Sequence, residues 1–189
     1  MLTSSDTTKL PLATDPLTGL KCEEAIAQPL AITFDFYAVY ETEASFTPLP
    51  EAESVQLITV EGVSDDAPFG LTNLTSSSYS TLPDEEGNFT FSSNPEDFGL
   101  EGEDITDTFS GNGVNKLFGK TSGTGLLDLD EGLVLGSGTM KITGGEGLFK
   151  GATGTLTFED TATLADSTGT ATVTGEITVP FPFAGFFIA

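Results

Sequence analysis

The sequence contains no histidine, no arginine and no tryptophan, and it has a single cysteine, Cys22. One thiol can form neither an internal disulfide nor a cysteine zinc cluster, because both need at least two. Without histidine, the usual acid–base group near neutral pH is missing, and histidine metal triads and histidine-based nucleophile pairs are excluded. Without arginine, no guanidinium group can clamp an anion. This inventory favours a non-enzymatic protein over an enzyme.

Positive charge and long apolar runs are also scarce. Six lysines stand against 29 carboxylates, which gives a formal net charge of −23. Such a field repels phosphate backbones and anionic headgroups, so we expect no nucleic-acid partner. No stretch approaches the roughly 20 apolar residues that cross a bilayer, so we expect no transmembrane segment. A saline or calcium-containing medium outside the cell would screen the charge, and we expect an extracellular or cell-surface location.

The residues that are present predict an all-β protein. Apolar residues make up 38 % of the chain and include 15 phenylalanines, which is enough for a packed interior. In the first patterned segment Ile32, Phe34, Phe36, Ala38 and Tyr40 alternate with more polar residues, which is the period of a β-strand. Glycine-punctuated segments with the same alternation follow to the end of the chain. We predict one antiparallel β-barrel or β-sandwich of about 8–10 strands, between which alternation does not discriminate.

The ends of the chain differ in character from its middle. Residues 1–28 are rich in Ser, Thr, Pro and Asp, and we interpret them as an extended polar arm. Residues 29–189 form a single all-β domain in this interpretation. The domain closes with VPFPFAGFFIA, which is unusually apolar for a terminus and is predicted to be a strand that enters the core, pairs with a sheet edge or meets a partner.

A glycine-rich strand junction provides the clearest local pattern. In ITGGEGLFKGATGTLTF a strand meets a double-glycine turn, and glycines suit positions of positive φ or close backbone approach. The pattern resembles the late strand pair of the allene oxide cyclase and dirigent barrel superfamily, with matching positions Gly144, Gly145, Gly147, Phe149, Gly151, Ala152 and Gly154. The resemblance extends over residues 116–179, whereas the acidic segment 64–107 departs from it. It implies an eight-stranded, frequently oligomeric barrel that holds an apolar ligand and steers its cyclisation or coupling.

One functional hypothesis follows from that resemblance. The protein would be a small apolar-ligand-binding barrel or a cyclase, with a cavity lined by Phe34, Phe36, Tyr40, Phe149 and Phe158. Large pockets lined by aromatic side chains with a few polar groups are the usual form of small-molecule sites.

Acidic loops provide candidate cation ligands. Carboxylate oxygens suit calcium, and the candidates are Asp84, Glu85, Glu86, Glu101, Glu103, Asp104 and Asp107. None of these clusters has EF-hand spacing, and charge runs are more often solvated loops. Calcium is therefore the one cofactor that we consider; otherwise we expect none. A further segment, SGNGVNKLFG, resembles one copy of a calcium-binding nonapeptide repeat, but a lone copy is better explained as a hairpin turn.

The leading hypothesis is a non-enzymatic extracellular or cell-surface structural protein. Its termini would add as strands to the next subunit, and repeated head-to-tail contacts would build a filament or matrix. We therefore expect a homo-oligomer or polymer. The apolar side chains that would insert into the neighbouring subunit are Phe181, Phe183, Phe186, Phe187 and Ile188.

Deletion of residues 180–189 is expected to abolish assembly while the circular dichroism of the fold is preserved, because the inserted side chains are lost and the domain is not. Negative-stain electron microscopy, with calcium and with chelator at matched ionic strength, measures the assembly. A truncated protein that still forms filaments would contradict this hypothesis.

Overall fold

A computed structural model describes residues 30–181 of the chain. The predicted polar arm and four of the predicted assembly residues, Phe183, Phe186, Phe187 and Ile188, lie outside the described residues. Phe181 is described, and its backbone N–H donates to the carbonyl of Leu30 at 2.6 Å, directly beyond the last strand pair.

The described chain is built from nine antiparallel strands, which confirms the predicted all-β class. They are β1 (Ala31–Pro48), β2 (Val55–Val63), β3 (Asn73–Thr81), β4 (Asn88–Ser92), β5 (Asp107–Ser110), β6 (Lys116–Asp128), β7 (Leu133–Glu146), β8 (Thr153–Thr163) and β9 (Thr168–Pro180). Three short 3₁₀ turns connect them, at Pro68–Gly70, Pro95–Phe98 and Gly147–Phe149. In residues 30–181 no helix has the length and hydropathy needed to cross a membrane.

The strands form one sheet that closes on itself. Its order is β2-β1-β9-β8-β7-β6-β4-β3-β5, and additional pairings join β2 to β3 and β6 to β5. β4 and β5 lie end to end in one position of the ring, since both pair with β3 and with β6 at different registers. The result is a barrel-like ring rather than two packed sheets. Alternate side chains of every strand therefore point into an enclosed interior.

One end of the interior is a packed core. The side chains of Phe36, Ala38 and Tyr40 on β1 are buried there, as the alternation predicted. The rings of Phe36 and Phe109 meet edge to face with centroids 5.9 Å apart, which is a favourable aromatic geometry. The hydroxyl of Tyr40 donates to the carbonyl of Leu71 at 2.7 Å, so its one polar atom is satisfied. This end of the ring is closed by side chains.

The glycine-rich junction between β7 and β8 helps to close the same end. Gly147 and Gly151 have φ values of 63° and 74°, which allow the chain to turn tightly on either side of Phe149. Phe149 is fully buried and its ring packs on that of Phe69 with centroids 5.7 Å apart. The glycine-rich pattern of the sequence is thus a tight turn that closes this end of the ring and is anchored in the core by Phe149.

The inner face of β6 and β7 carries no side chains over part of its length. Gly123 pairs with Gly138 and Gly125 with Gly136, so four glycines form one patch, which we call the glycine floor. A β-carbon added at Gly123 would lie 2.2 Å from the carbonyl oxygen of Ser137 and 2.6 Å from the ring of Phe91. The floor therefore allows side chains of neighbouring strands to lie directly on the backbone.

Substitution Gly123→Ala is expected to destabilise the fold by about 1–3 kcal/mol, because its methyl group must displace both a strand backbone and a ring. The matched control is Gly113→Ala, where an added β-carbon meets nothing within 4 Å. Urea unfolding followed by circular dichroism measures both. Equal stability of the two variants would show that the floor tolerates side chains.

Candidate functional site

A cavity occupies the part of the ring interior that the packed core leaves open. It has a volume of about 110 Å³. On β1 it begins at Thr42, the next inward-facing residue after the buried Tyr40, and continues to Phe46. Phe46 and Leu164 are 41 % and 39 % exposed and also line it, so they form an apolar rim where it meets solvent. The ring thus has one closed end and one end that opens into a cavity.

Aromatic side chains form much of the cavity wall above the glycine floor. Phe89 and Phe91 extend from β4 and Phe158 from β8. The ring centroids of Phe89 and Phe91 are 6.4 Å apart, and those of Phe91 and Phe158 are 6.0 Å apart. Since β-carbons placed at Gly125 and Gly138 would lie 2.1 Å from Phe89 and 2.7 Å from Phe158, these rings rest on the floor from opposite sides.

Asp107 lines the cavity but has a structural task in the ring. β4 and β5 together occupy one strand position between β3 and β6, and a gap separates the end of β4 from the start of β5. At this gap the backbones of β3 and β6 have no strand between them to bond to. The Asp107 carboxylate lies at this gap and accepts from the backbone N–H of Ser77 at 3.0 Å and from the hydroxyl of Thr121. Burial raises the pKa of Asp107, and hydrogen bonds from Thr121, Ser76 and Ser77 oppose that rise.

Ser93 lies at the same junction between β4 and β5, which we call the seam. Its backbone N–H donates to the carbonyl of Thr121 at 2.7 Å, and its hydroxyl oxygen accepts from the backbone N–H of Thr121, also at 2.7 Å. Together with Asp107 it supplies the partners that a continuous strand would offer through its backbone. The Asp107 carboxylate is therefore held in place, and both of its oxygens accept hydrogen bonds from the protein.

Asp160 is a second carboxyl in the cavity, and its environment is different. It follows Phe158 on the inner face of β8, opposite Gly136 of β7, and a β-carbon at Gly136 would lie 2.4 Å from its Oδ2. Within residues 30–181 it accepts no hydrogen bond and forms no ion pair. Burial among apolar side chains, with no partner to offset it, raises the pKa of Asp160 from 3.8 to about 6.

Asp160 is thus a carboxyl group that changes its charge near neutral pH, and it lies beside an apolar cavity. A carboxyl with a pKa of about 6 is present in both protonation states near neutral pH, so it can donate or accept a proton there. No lysine of residues 30–181 lines the cavity. In the described part of the chain, Lys116 pairs with Glu146 at 2.9 Å and Lys120 pairs with Asp104, both on the outside of the ring. The charge inside the cavity is consequently negative or zero.

The predicted aromatic cavity residues are divided between the two ends of the ring. Phe158 lines the cavity. Phe36, Tyr40 and Phe149 belong to the packed core, and Phe34 packs against that core with its ring centroid 5.2 Å from that of Phe69. The structure thus brings one of the five residues to the cavity and uses the other four to close the opposite end.

The predicted acidic cation ligands are not brought together. Glu85, Glu86, Glu101 and Glu103 are exposed, and Asp104 pairs with Lys120. Asp84 accepts from the backbone N–H groups of Glu86 and Asn88 at 2.9 and 2.8 Å and so organises its own turn, while Asp107 lies inside the ring. No group of three or more potential ligand side chains that could hold a metal ion occurs in residues 30–181. A calcium site stays a prediction without a located centre.

The segment that resembles a calcium-binding repeat has a packing task. Asn115 donates from its amide to the carbonyl of Phe69 and accepts from the backbone N–H of Leu148, both at 3.0 Å. It links the turn before β6 to two of the 3₁₀ turns at the closed end. This matches the hairpin interpretation of that segment.

Asp160 is not among the predicted site residues, although the sequence contains a signal for it. In TLTFED the side chains of Leu156, Phe158 and Asp160 share one face by simple alternation. Leu156 is fully buried, so the acid two positions beyond Phe158 had to point the same way, into the ring. An acid on the apolar face of a strand would have identified it.

Comparisons with known proteins yield one likeness of fold. No family model and no curated protein matches the sequence. Among solved structures, that of the pterocarpan synthase dirigent protein GePTS1 is similar, with a TM-score of 0.44 and 11 % sequence identity over 80 % of this chain and 92 % of that one.

Asp160→Asn is expected to stabilise the fold at pH 8 by on the order of 1 kcal/mol, because the amide avoids burying an unpaired charge. The native pKa is raised, so ionisation of Asp160 costs stability as the pH rises from about 4 to 7, and the gain at pH 5 should be about half that at pH 8. Thermal unfolding at both pH values measures it. Glu159→Gln, on the outer face of the same strand, is the control and should change neither. A less stable Asp160→Asn protein at pH 8 would mean that the carboxylate has a stabilising partner.

Proposed function

We propose that the protein binds a small, mainly apolar ligand inside the open end of its ring. The observation that carries this proposal is the cavity itself, with aromatic walls, an apolar rim and one carboxyl group that has no partner among the described residues. A core built only for stability would be filled at this point, since protein interiors are close-packed. Apolar walls with a few polar groups are the usual composition of ligand pockets.

The size of the cavity sets the size of the ligand. An engineered protein cavity of about 150 Å³ lined by Leu, Ile and Phe binds benzene. The cavity described above is somewhat smaller, at about 110 Å³, but it opens at Phe46 and Leu164. A ligand with one ring can therefore pack against the aromatic side chains that cover the glycine floor and extend a substituent towards the rim.

Other parts of the sequence-based hypotheses stay predictions. Assembly into a filament depends on residues of which only Phe181 is described. Among residues 30–181 the closed ring leaves few sheet edges for strand addition, although the part of β1 before Glu41 pairs with no described strand on its β2 side. A cyclase activity and an extracellular location likewise await measurement.

Fluorobenzene is a suitable neutral probe for the proposed function. We expect saturable binding near one molecule per chain, measured by fluorine NMR of the probe in titrations with the full-length protein. The variant Ala162→Phe places a ring in the open end and should weaken binding by at least about tenfold. Its matched control is Thr161→Phe, which places the same ring on the outer face of β8 and should leave binding unchanged. Circular dichroism confirms that both variants fold. Absence of saturable binding to the unmodified protein would overturn the proposal.

A further inference from the structure

The open end of the ring contains one feature that the binding of a purely apolar ligand does not use. The Asp160 carboxyl borders both the cavity and the adjoining surface depression, so it is accessible to a ligand and to solvent. The second acid of the cavity, Asp107, is already engaged with Ser77 and Thr121 and is 0 % exposed. Of the two carboxyl groups in the described cavity wall, Asp160 is therefore the one that accepts no hydrogen bond from residues 30–181.

Two aromatic side chains, Phe89 and Phe158, occupy positions next to this carboxyl on the glycine floor. Gly125 and Gly136 are paired across β6 and β7, and the ring of Phe89 covers the first while Asp160 covers the second. Phe89 and Asp160 thus lean towards each other over neighbouring backbone positions. Phe158 stands two residues before Asp160 on the same face of β8. A group between them would contact a carboxylate on one side and aromatic faces or edges on the other.

A protonated amine satisfies both kinds of neighbour. It donates charge-assisted hydrogen bonds to a carboxylate, and aromatic rings attract cations. Hydroxyl and amide groups can donate to the carboxylate but leave its charge uncompensated, whereas an anionic ligand would be repelled. The part of the cavity wall that the structure describes contains no lysine, and the net charge of −23 concentrates cations around the molecule.

We propose that the ligand of this cavity is a small apolar molecule with one protonated amine, whose ammonium group pairs with Asp160 while its apolar body packs against the aromatic side chains above the glycine floor. This inference rests on the proposed function and narrows it to a class of ligand. Filling the site would supply both the counter-charge and the hydrogen-bond donor that Asp160 lacks.

Three probes of the same shape and different charge test the inference: benzylamine, benzyl alcohol and benzoate. Isothermal titration calorimetry of the full-length protein near neutral pH and at physiological ionic strength gives their affinities. We expect benzylamine to bind about tenfold or more tightly than benzyl alcohol, and benzoate to bind more weakly than either. Asp160→Asn should reduce the affinity for benzylamine to that for benzyl alcohol and leave the alcohol unaffected. Glu159→Gln removes the same charge from the outer face and should preserve the preference for the amine.

The outcomes separate the inference from the function on which it rests. If benzyl alcohol and fluorobenzene bind but the amine has no advantage, or if Asp160→Asn retains that advantage, the amine inference is wrong and the apolar site stands. If Glu159→Gln abolishes the preference as fully as Asp160→Asn, the amine is attracted by diffuse surface charge and the inference is wrong. If none of the probes binds saturably, both the inference and the proposed function fall.

Discussion

The glycine floor is the constraint on which the open end of this molecule depends. A closed ring must fill its interior with the inward side chains of its own strands, and two adjacent strands here contribute none at Gly123, Gly125, Gly136 and Gly138. The rings of β4 and β8 lean into the space this leaves, as does the carboxyl of Asp160. They cover the floor without filling the volume above it. The cavity and the position of Asp160 both follow from the same missing side chains.

The two buried acids show how similar groups acquire different roles. Asp107 is the more deeply buried, yet its neighbours donate hydrogen bonds that complete a broken ladder between β3 and β6. Asp160 is only partly buried, but no described neighbour donates to it. Burial alone therefore does not mark a functional acid. A better indication of a functional acid is a desolvated carboxyl that accepts no hydrogen bond from the protein and borders a space that a ligand can enter.

Several elements could be predicted from the sequence because they depend on local patterns. Alternation placed Phe36, Ala38 and Tyr40 inside, and the glycines around Phe149 predicted a tight turn. Closure of the ring could not be predicted, since barrels and sandwiches share that alternation. Asp107 was grouped with exposed acids because it follows them in the chain, and only the pairing of β5 places it inside. In the sequence the floor glycines look like turn residues. Their alignment across two strands could not be predicted, because it depends on the register of β6 and β7.

The connection from β4 to β5 has a consequence for the evolution of this protein. The chain leaves the ring at Ser93 and returns at Asp107, and the backbone N–H of Ile105 donates to the carbonyl of Ser93 at 2.8 Å, which ties the base of the excursion together. Because both ends are fixed at one seam, the acidic loop between them can lengthen, shorten or take up a new sequence at little entropic cost. The seam is a natural insertion point, where new recognition surfaces can be acquired while strand pairing and cavity stay as they are.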